Sequence, residues 1–336
     1  MDNRFNFDED PVLSHASFVQ RARIVLAERP SRIGSMFTRW AVQGEICDDL
    51  NPETADPTVT PVALLKFHDD IFHAPPDERY RMLAQPVAED DNTDQRVWFD
   101  VIEGLTNHAI INGIVKVARE LLPDGMEKWQ DVADLGAGTG KLGALLLDKD
   151  ARVSIAQNMT FIDKVPELLE VAKKRNGPNA NYVAGDVLNL AIPDGSFDLM
   201  VSGGLVYSLG YNQQNSYFQE VSRLLKPGGV YLDGDQHKWR FTTGNIGRFH
   251  LLSSIQAIVS GVEITGDPLG LIDRPSYFAQ FGLEFSEVEF DNDSSTTQTP
   301  VTVRILRKTG PVQPDIPPLQ HQRAHLFPGL RQDTQP

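Results

Sequence analysis

The apolar residues of this chain follow two rhythms, and the change between them sets its organisation. Toward the N-terminus the spacing is helical. Val12, Ala16, Val19 and Leu26 share one face, and Ile33, Met36, Phe37, Trp40 and Ala41 repeat the pattern behind Ser31 as a candidate N-cap. A Pro- and Thr-rich stretch over 51–61 is expected to be a linker, and Thr60-Pro61 opens a further helix through Ile71. After an acidic break at 89–94, Trp98, Ile102, Leu105 and Ala109 begin another helix. From Asp131 onward short apolar runs alternate with helical ones. Phe161–Asp163 is a short strand. The helix after it carries Pro166 in its first turn, where the missing N–H costs nothing, and Lys173, Lys174 and Arg175 at the negative end of its dipole, before Gly177 stops it. Asn181–Leu190 contains a strand leading to Gly185-Asp186, and Phe197–Leu209 a buried strand and a glycine break. Phe218–Asp235 gives a helix, a stop at Lys226-Pro227-Gly228-Gly229 and another strand.

Beyond Asp235 the segment 236–274 has the character of an insertion, with Leu252, Ile255, Val259 and Val262 at amphipathic spacing. Ser276–Phe290 then predicts helix, Gly282 stop and strand, and Pro300–Lys308 alternates like a final strand. The resulting expectation is an α/β domain over 92–309, preceded by a helical region over 1–91 and followed by a Pro- and Gln-rich, disordered tail over 310–336.

The densest signal is ADLGAGTGKLG, Ala133 to Gly143. An acid, Asp134, ends the approach to a turn in which Gly136, Gly138 and Gly140 alternate, and the helical run Leu142–Leu147 follows. A backbone turning that sharply beside a ligand needs positions without a Cβ. The N–H groups of the next helix point at whatever lies on the turn. A dinucleotide fingerprint drawn through Gly138, Gly140 and Gly143 starts two residues too late, because the strand already ends near Leu135. A P-loop fails too: counting back from Gly140 lands on Leu135, and Leu142 follows Lys141 where Ser or Thr is needed. Asp163, at a strand terminus, is placed to accept both hydroxyls of a ribose.

The series of glycine turn, Asp163, Gly185-Asp186 and the Leu-Lys-Pro-Gly-Gly turn resembles, over Asp131 to about Asp235, the class I S-adenosylmethionine (SAM)-dependent methyltransferases. The resemblance implies a Rossmann-like, seven-stranded sheet whose last strand is antiparallel, with S-adenosyl-L-methionine as cofactor. It assigns Asp163 to the ribose, Asp186 to the adenine amino group, Val187 to the adenine ring and the turn Gly136–Gly138–Gly140 to the methionine part. Asp134, Lys164 and Ser202 complete the implied cofactor site. The likeness is to the group containing quinone-biosynthesis and natural-product methyltransferases, and it implies a small organic acceptor with O-, C- and N-methylation all open. One departure is the interval 149–159, longer than typical, which calls for an extended helix or a small insertion.

Composition narrows the partners. A formal net charge of -15 over 336 residues is a poor basis for binding phosphate backbones, so nucleic acid is not an expected partner. The acidic, polar start MDNRFNFDED is not expected to be a signal peptide, and no run of 18 apolar residues exists to span a membrane. The single cysteine, Cys47, excludes an intramolecular disulfide and a multi-cysteine zinc site. A cytoplasmic protein is the simplest expectation, with the N-terminal apolar faces covered by the core or by a second subunit in a homodimer.

For chemistry, methyl transfer needs alignment first, and positioning alone can supply roughly 7–11 kcal/mol. If a base is needed, His237, just past the fifth strand, has a pKa suited to the task. Tyr207, nine residues after Asp198, matches by spacing the catalytic histidine of plant-type O-methyltransferases; as a phenol it is a better positioner than base, or simply packs. No metal is expected: His68 and His73 are five apart and off a common helical face, and Asp235, His237 and His250 make only a weak case. Two rivals remain, a catalytically silent SAM-fold binding protein and a nicotinamide-dependent dehydrogenase.

Overall fold

The computed structural model describes residues 67, 70–71, 73–87, 97–100, 108–147, 154–206, 209, 211–235, 275–290, 301–314 and 316. The expected helices before residue 67, the 236–274 insertion and most of the tail lie outside them, as do Cys47, Tyr207, His237 and His250.

The described elements alternate as the apolar rhythm requires. Helix α1 is Pro76–Leu83 and α2 His108–Glu120; then follow β1 (Trp129–Leu135), α3 (Lys141–Leu147), β2 (Ala156–Asp163), α4 (Pro166–Asn176), β3 (Asn181–Ala184), β4 (Phe197–Gly203), α5 (Tyr211–Leu224), β5 (Leu225–Asp235), α6 (Pro275–Ala279), β6 (Leu283–Phe290) and β7 (Val301–Lys308). The seven strands form one sheet in the order β3-β2-β1-β4-β5-β7-β6. The pairs β1/β2, β1/β4, β2/β3 and β4/β5 are parallel, whereas β7 runs antiparallel between β5 and β6. This is the Rossmann-like methyltransferase sheet with the antiparallel edge expected above.

Alternation along each strand divides the interior into two layers. One face carries Val132, Leu199, Val201, Leu232 and Ile305 and packs on α2 and α3 through Ile110, Ile114, Leu142 and Leu146. The other carries Ala133, Met200, Tyr231 and Leu306 and packs on α5 and α6 through Tyr217, Phe218, Val221 and Phe278. Sheets buried on both sides are the rule where parallel strands are joined by helices.

Local signals behaved as their chemistry demands, with one exception. Helix α4 begins at Pro166 and ends on Gly177, whose φ of 81° suits a glycine and whose N–H donates to the Lys173 carbonyl. The Lys-Pro-Gly-Gly stop does not precede β5 but lies within it. Phe197 pairs Leu225 while Leu199 pairs Val230, so 226–229 bulges out of register. There Lys226 donates to both Asp131 (2.7 Å) and Asp198 (2.8 Å), tying the amino ends of β1 and β4 together. Of the interval 149–159, α3 is described to Leu147 and β2 from Ala156, and residues 148–153 lie outside the described residues.

The chain moves from β1 outward to β2 and β3, then returns to place β4 on the other side of β1. In open α/β sheets that reversal opens a crevice at the carboxyl ends of the central strands. Asp134, Asp163 and Ser202 all sit at that edge.

Candidate functional site

The glycine turn has the conformation its spacing predicts. Gly136, Gly138 and Gly140 have φ of 65°, 52° and 74°, a region that side chains with a Cβ rarely adopt. A Cβ would also crowd neighbouring side chains: at Gly136 it would meet Leu205 at 2.9 Å, and at Gly138 the Phe99 ring. Asp134 is 2 % exposed and accepts the Gly143 N–H at 3.1 Å, so its carboxylate fastens the turn to the first residues of α3.

Asp163 stands at the end of β2, 8 % exposed. Its Oδ2 accepts from Gly138 N (2.8 Å) and its Oδ1 from Val165 N (2.9 Å). Burial raises its pKa; those two amides, that of Lys164 and the Lys164 charge oppose the rise. The Lys164 ammonium itself lies 3.9 Å over the Tyr80 ring of α1, its side chain drawn toward the N-terminal segment. Asp163 and Ala184 are partners in the sheet, and Gly185 donates to the Asp163 carbonyl at 3.0 Å. Asp186 therefore emerges beside Asp163. Asp186 is exposed and shapes its own turn, with Oδ1 accepting from Leu188 N at 2.9 Å. Val187, next to it, is buried in the α5-side core.

Three residues for which no site role was expected, Asp100, Arg175 and Asn176, complete the support of the turn. Asp100, 6 % exposed, accepts from Thr139 Oγ1 (2.6 Å) and Arg175 Nη2 (2.8 Å), and lies 3.2 Å from Lys141 Nζ. Burial works against its charge, but Lys141 and Arg175 hold its pKa below the ordinary value. Arg175 also donates to the Thr139 carbonyl (2.6 Å), and Asn176 donates to that of Gly140 (3.1 Å). The end of α4 thus grips the carbonyls of the turn while Asp163 grips an amide. A helical turn beginning at Trp98, joined to the 86–87 region by the Pro86–Val97 bridge, is pinned on top through Asp100 and Phe99. No periodicity marks such a cluster, because its members come from three separate segments.

Ser202 turns into the interior. Its hydroxyl donates to Asp233 Oδ1 (2.9 Å) and lies 2.6 Å from the Tyr231 hydroxyl. Asp233 is paired in turn with Arg304 of β7 at 2.5 Å, both fully buried. Among the described residues no group of three His, Cys, Asp or Glu could hold a metal ion. His68, Asp69, His237 and His250 lie outside them.

The site suits a nucleoside with a polar tail. A carboxylate has about four lone-pair positions, and Asp163 accepts backbone N–H groups of Gly138, Val165 and Lys164, which leaves acceptor capacity for a ribose hydroxyl. Three positions of the turn carry no Cβ, and the exposed Asp186 is followed by the buried, apolar Val187.

Comparison with known proteins agrees with this geometry. A family profile described as a methyltransferase domain matches residues 132–229. An uncharacterized methyltransferase of Synechocystis sp. is 33% identical over 115 residues, covering 33% of this chain and 51% of that one. A ubiquinone/menaquinone biosynthesis C-methyltransferase of Rubrivivax gelatinosus is 31% identical over 104 residues, 31% of this chain and 38% of that one. The chain thus spans about half, or less, of the length of these relatives. Among solved structures, an N-methyltransferase of Bradyrhizobium japonicum in complex with S-adenosyl-L-homocysteine aligns over 74% of this chain and 100% of its own, at 14% identity and a TM-score of 0.41. Residues 132–229 thus match a methyltransferase domain. No described helix is long and apolar enough to cross a membrane.

Proposed function

We propose that this protein transfers a methyl group from SAM to a small organic acceptor by in-line displacement. The observation that carries the proposal is the pairing of Asp163 with the Gly138 amide at the mouth of the β1/β4 crevice, beside Asp186. Asp163 binds the ribose, Asp186 the adenine amino group, Val187 the adenine face, and the Gly136–Gly140 turn the methionine part. When bound, SAM supplies an electrophilic methyl on sulfonium. The chain's own task is to hold the cofactor and exclude water around it, since low polarity favours a reaction in which an anion and a sulfonium neutralise each other. Lys164 is held on Tyr80, and Ser202 is bonded to Asp233 and Tyr231. Neither is needed for this arrangement.

His237 and Tyr207 are assigned to the acceptor side, the first as base where one is needed, the second as positioner. The helical region over 1–91 is assigned as a lid over the acceptor. Calorimetric titration of the full chain with SAM and, separately, NAD tests the proposal. Saturable binding of SAM alone, and radiolabelled methyl transfer to a fraction of a metabolite pool, are the expected results. Binding of NAD without SAM overturns it.

A further inference from the structure

On the face of the sheet that α5 covers, close to its carboxyl edge, the interior is polar. Ser202, Tyr217, Tyr231, Asp233 and Arg304 are all 0 % exposed and form one chain of hydrogen bonds. Arg304 and Ser202 each donate to Asp233, Ser202 and Tyr231 are 2.6 Å apart, and Tyr231 and Tyr217 are 2.8 Å apart. The protons have one consistent arrangement. Ser202 spends its only hydrogen on Asp233, so Tyr231 must donate to Ser202 and Tyr217 to Tyr231. The network therefore ends on the Tyr217 oxygen, with its charges already balanced between Asp233 and Arg304.

Two side chains beside this network are buried and unpaired. Neither Oε1 nor Nε2 of Gln214 has a hydrogen-bond partner among the described residues, and the residue is 0 % exposed. The Thr302 hydroxyl is in the same condition at 1 %. Their positions are informative. Gln214 precedes Tyr217 by three residues, hence by one turn on the same face of α5. Because α5 connects the parallel strands β4 and β5, it runs against them, and that turn lies nearer the carboxyl edge. Thr302 is two residues from Arg304 on β7 and so shares its face, opposite Asp235, the last residue of β5. Both positions lie toward the carboxyl edge of the sheet, the edge at which the crevice opens. Leaving a carboxamide buried and unbonded is costly unless something bonds to it.

We propose that Gln214, with Thr302 on the same face of the sheet, recognises the methyl acceptor, and that the acceptor is a planar molecule carrying an N–H or O–H donor next to a carbonyl. The carboxamide of Gln214 offers one acceptor and one donor side by side. The matching edge donates to its Oε1 and accepts from its Nε2. This inference rests on the methyltransferase assignment, because it takes the carboxyl edge as the acceptor side.

The test uses the full chain, with and without S-adenosyl-L-homocysteine, and three probes: 2-quinolinone, N-methyl-2-quinolinone, which lacks the donor, and quinoline. Calorimetry is expected to show 2-quinolinone bound at least tenfold more tightly than either of the others. Gln214→Leu should abolish that preference and raise the melting temperature of the free protein, since an unpaired polar group is removed. Thr302→Val should weaken the probe without abolishing the preference. Ser222→Ala, which alters another unpartnered hydroxyl two turns further along α5, should change neither. Equal affinity for the three probes, no binding of any, or an unchanged preference in Gln214→Leu overturns the proposal, and the first two comparisons need no variant. S-adenosyl-L-homocysteine is titrated separately. If it fails to bind, the cofactor assignment falls, while the probe comparison on the free chain still decides the role of Gln214.

Discussion

Asp163 concentrates the physics of the proposed cofactor site in one side chain. It is a buried carboxylate whose charge is sustained by backbone amides, and burial raises its pKa above the ordinary 3.8. A hydrogen bond from a ribose hydroxyl to a charged acceptor is worth about 1.5–3 kcal/mol. Asp163→Ala should therefore weaken SAM binding roughly ten- to a hundredfold or more, with the fold retained; an unchanged dissociation constant would remove Asp163 from the site. The pH dependence has a definite sign. Binding needs the ionised form, and protonation sets in at a higher pH than for an ordinary carboxylate. SAM affinity should fall as pH drops through that raised value, and Asp163→Asn should flatten the profile. The acceptor side makes a different prediction. If His237 removes a proton, His237→Ala should lower kcat by about 10²–10⁴ while SAM affinity hardly changes. Tyr207→Phe should mainly raise the acceptor KM. Kinetics on an acceptor already ionised separate the two roles, because the His237 defect should shrink there.

At the scale of elements, the glycine turn is held from outside itself. Asp163 takes one of its amides, Arg175 and Asn176 take two of its carbonyls, and Asp100 takes the Thr139 hydroxyl. Asp100 reaches in from a segment 75 residues away from Arg175 along the chain. Its cationic partners keep about a third of their side-chain surface in water, 29% for Lys141 and 31% for Arg175. Asp100→Ala should thus cost less than the loss of a fully buried partner, about 1–3 kcal/mol, measured by denaturant unfolding. It should also weaken SAM binding by loosening the turn. Because the folded-state pKa is depressed, the contribution is fully present above the ordinary value of 3.8 and is lost as pH falls through the lower folded value. Asp100→Asn should therefore show a shallower loss of stability in strong acid than the native protein. A variant with the same acid profile and the same SAM affinity would reduce the cluster to a surface contact.

Across the whole molecule, the parallel half of the sheet carries the cofactor crevice and the antiparallel half carries the polar interior around Arg304. The N-terminal part contacts the first of these. Helix α1 meets α4 through Lys164 on Tyr80 and an exposed Arg81–Glu167 pair at 3.2 Å, and Phe99 lies on the turn at Gly138. Exposed pairs of this kind contribute little, about 0–1 kcal/mol, so α1 is held weakly compared with the segment around Asp100. Removing residues 1–91 keeps Asp100 but takes away Pro86 and Phe67, which bridge and stack on the segment that carries it. The truncated protein should keep measurable SAM affinity and lose acceptor turnover, if the region is the lid. Full turnover in the truncated chain would refute that role.

The sequence alone determined the features that depend on neighbours along the chain. Gly136, Gly138 and Gly140 were legible because positive φ is a property of single residues, and Pro166 and Gly177 because helix ends are local. Asp163 and Asp186 were legible because strand ends follow from apolar runs of a few residues. The Lys-Pro-Gly-Gly stop was placed correctly but misjudged in kind, since only pairing with β4 turns it into a bulge. Tertiary structure alone decided which polar groups meet in the interior. Asp233 and Arg304 are 71 positions apart and look like any other acid and base in a strand. Gln214 looks like a polar residue on the wet side of a helix until the sheet closes over it. Local preference is written residue by residue, whereas the partner of a buried charge, or the lack of one for a buried amide, exists only after distant segments have packed.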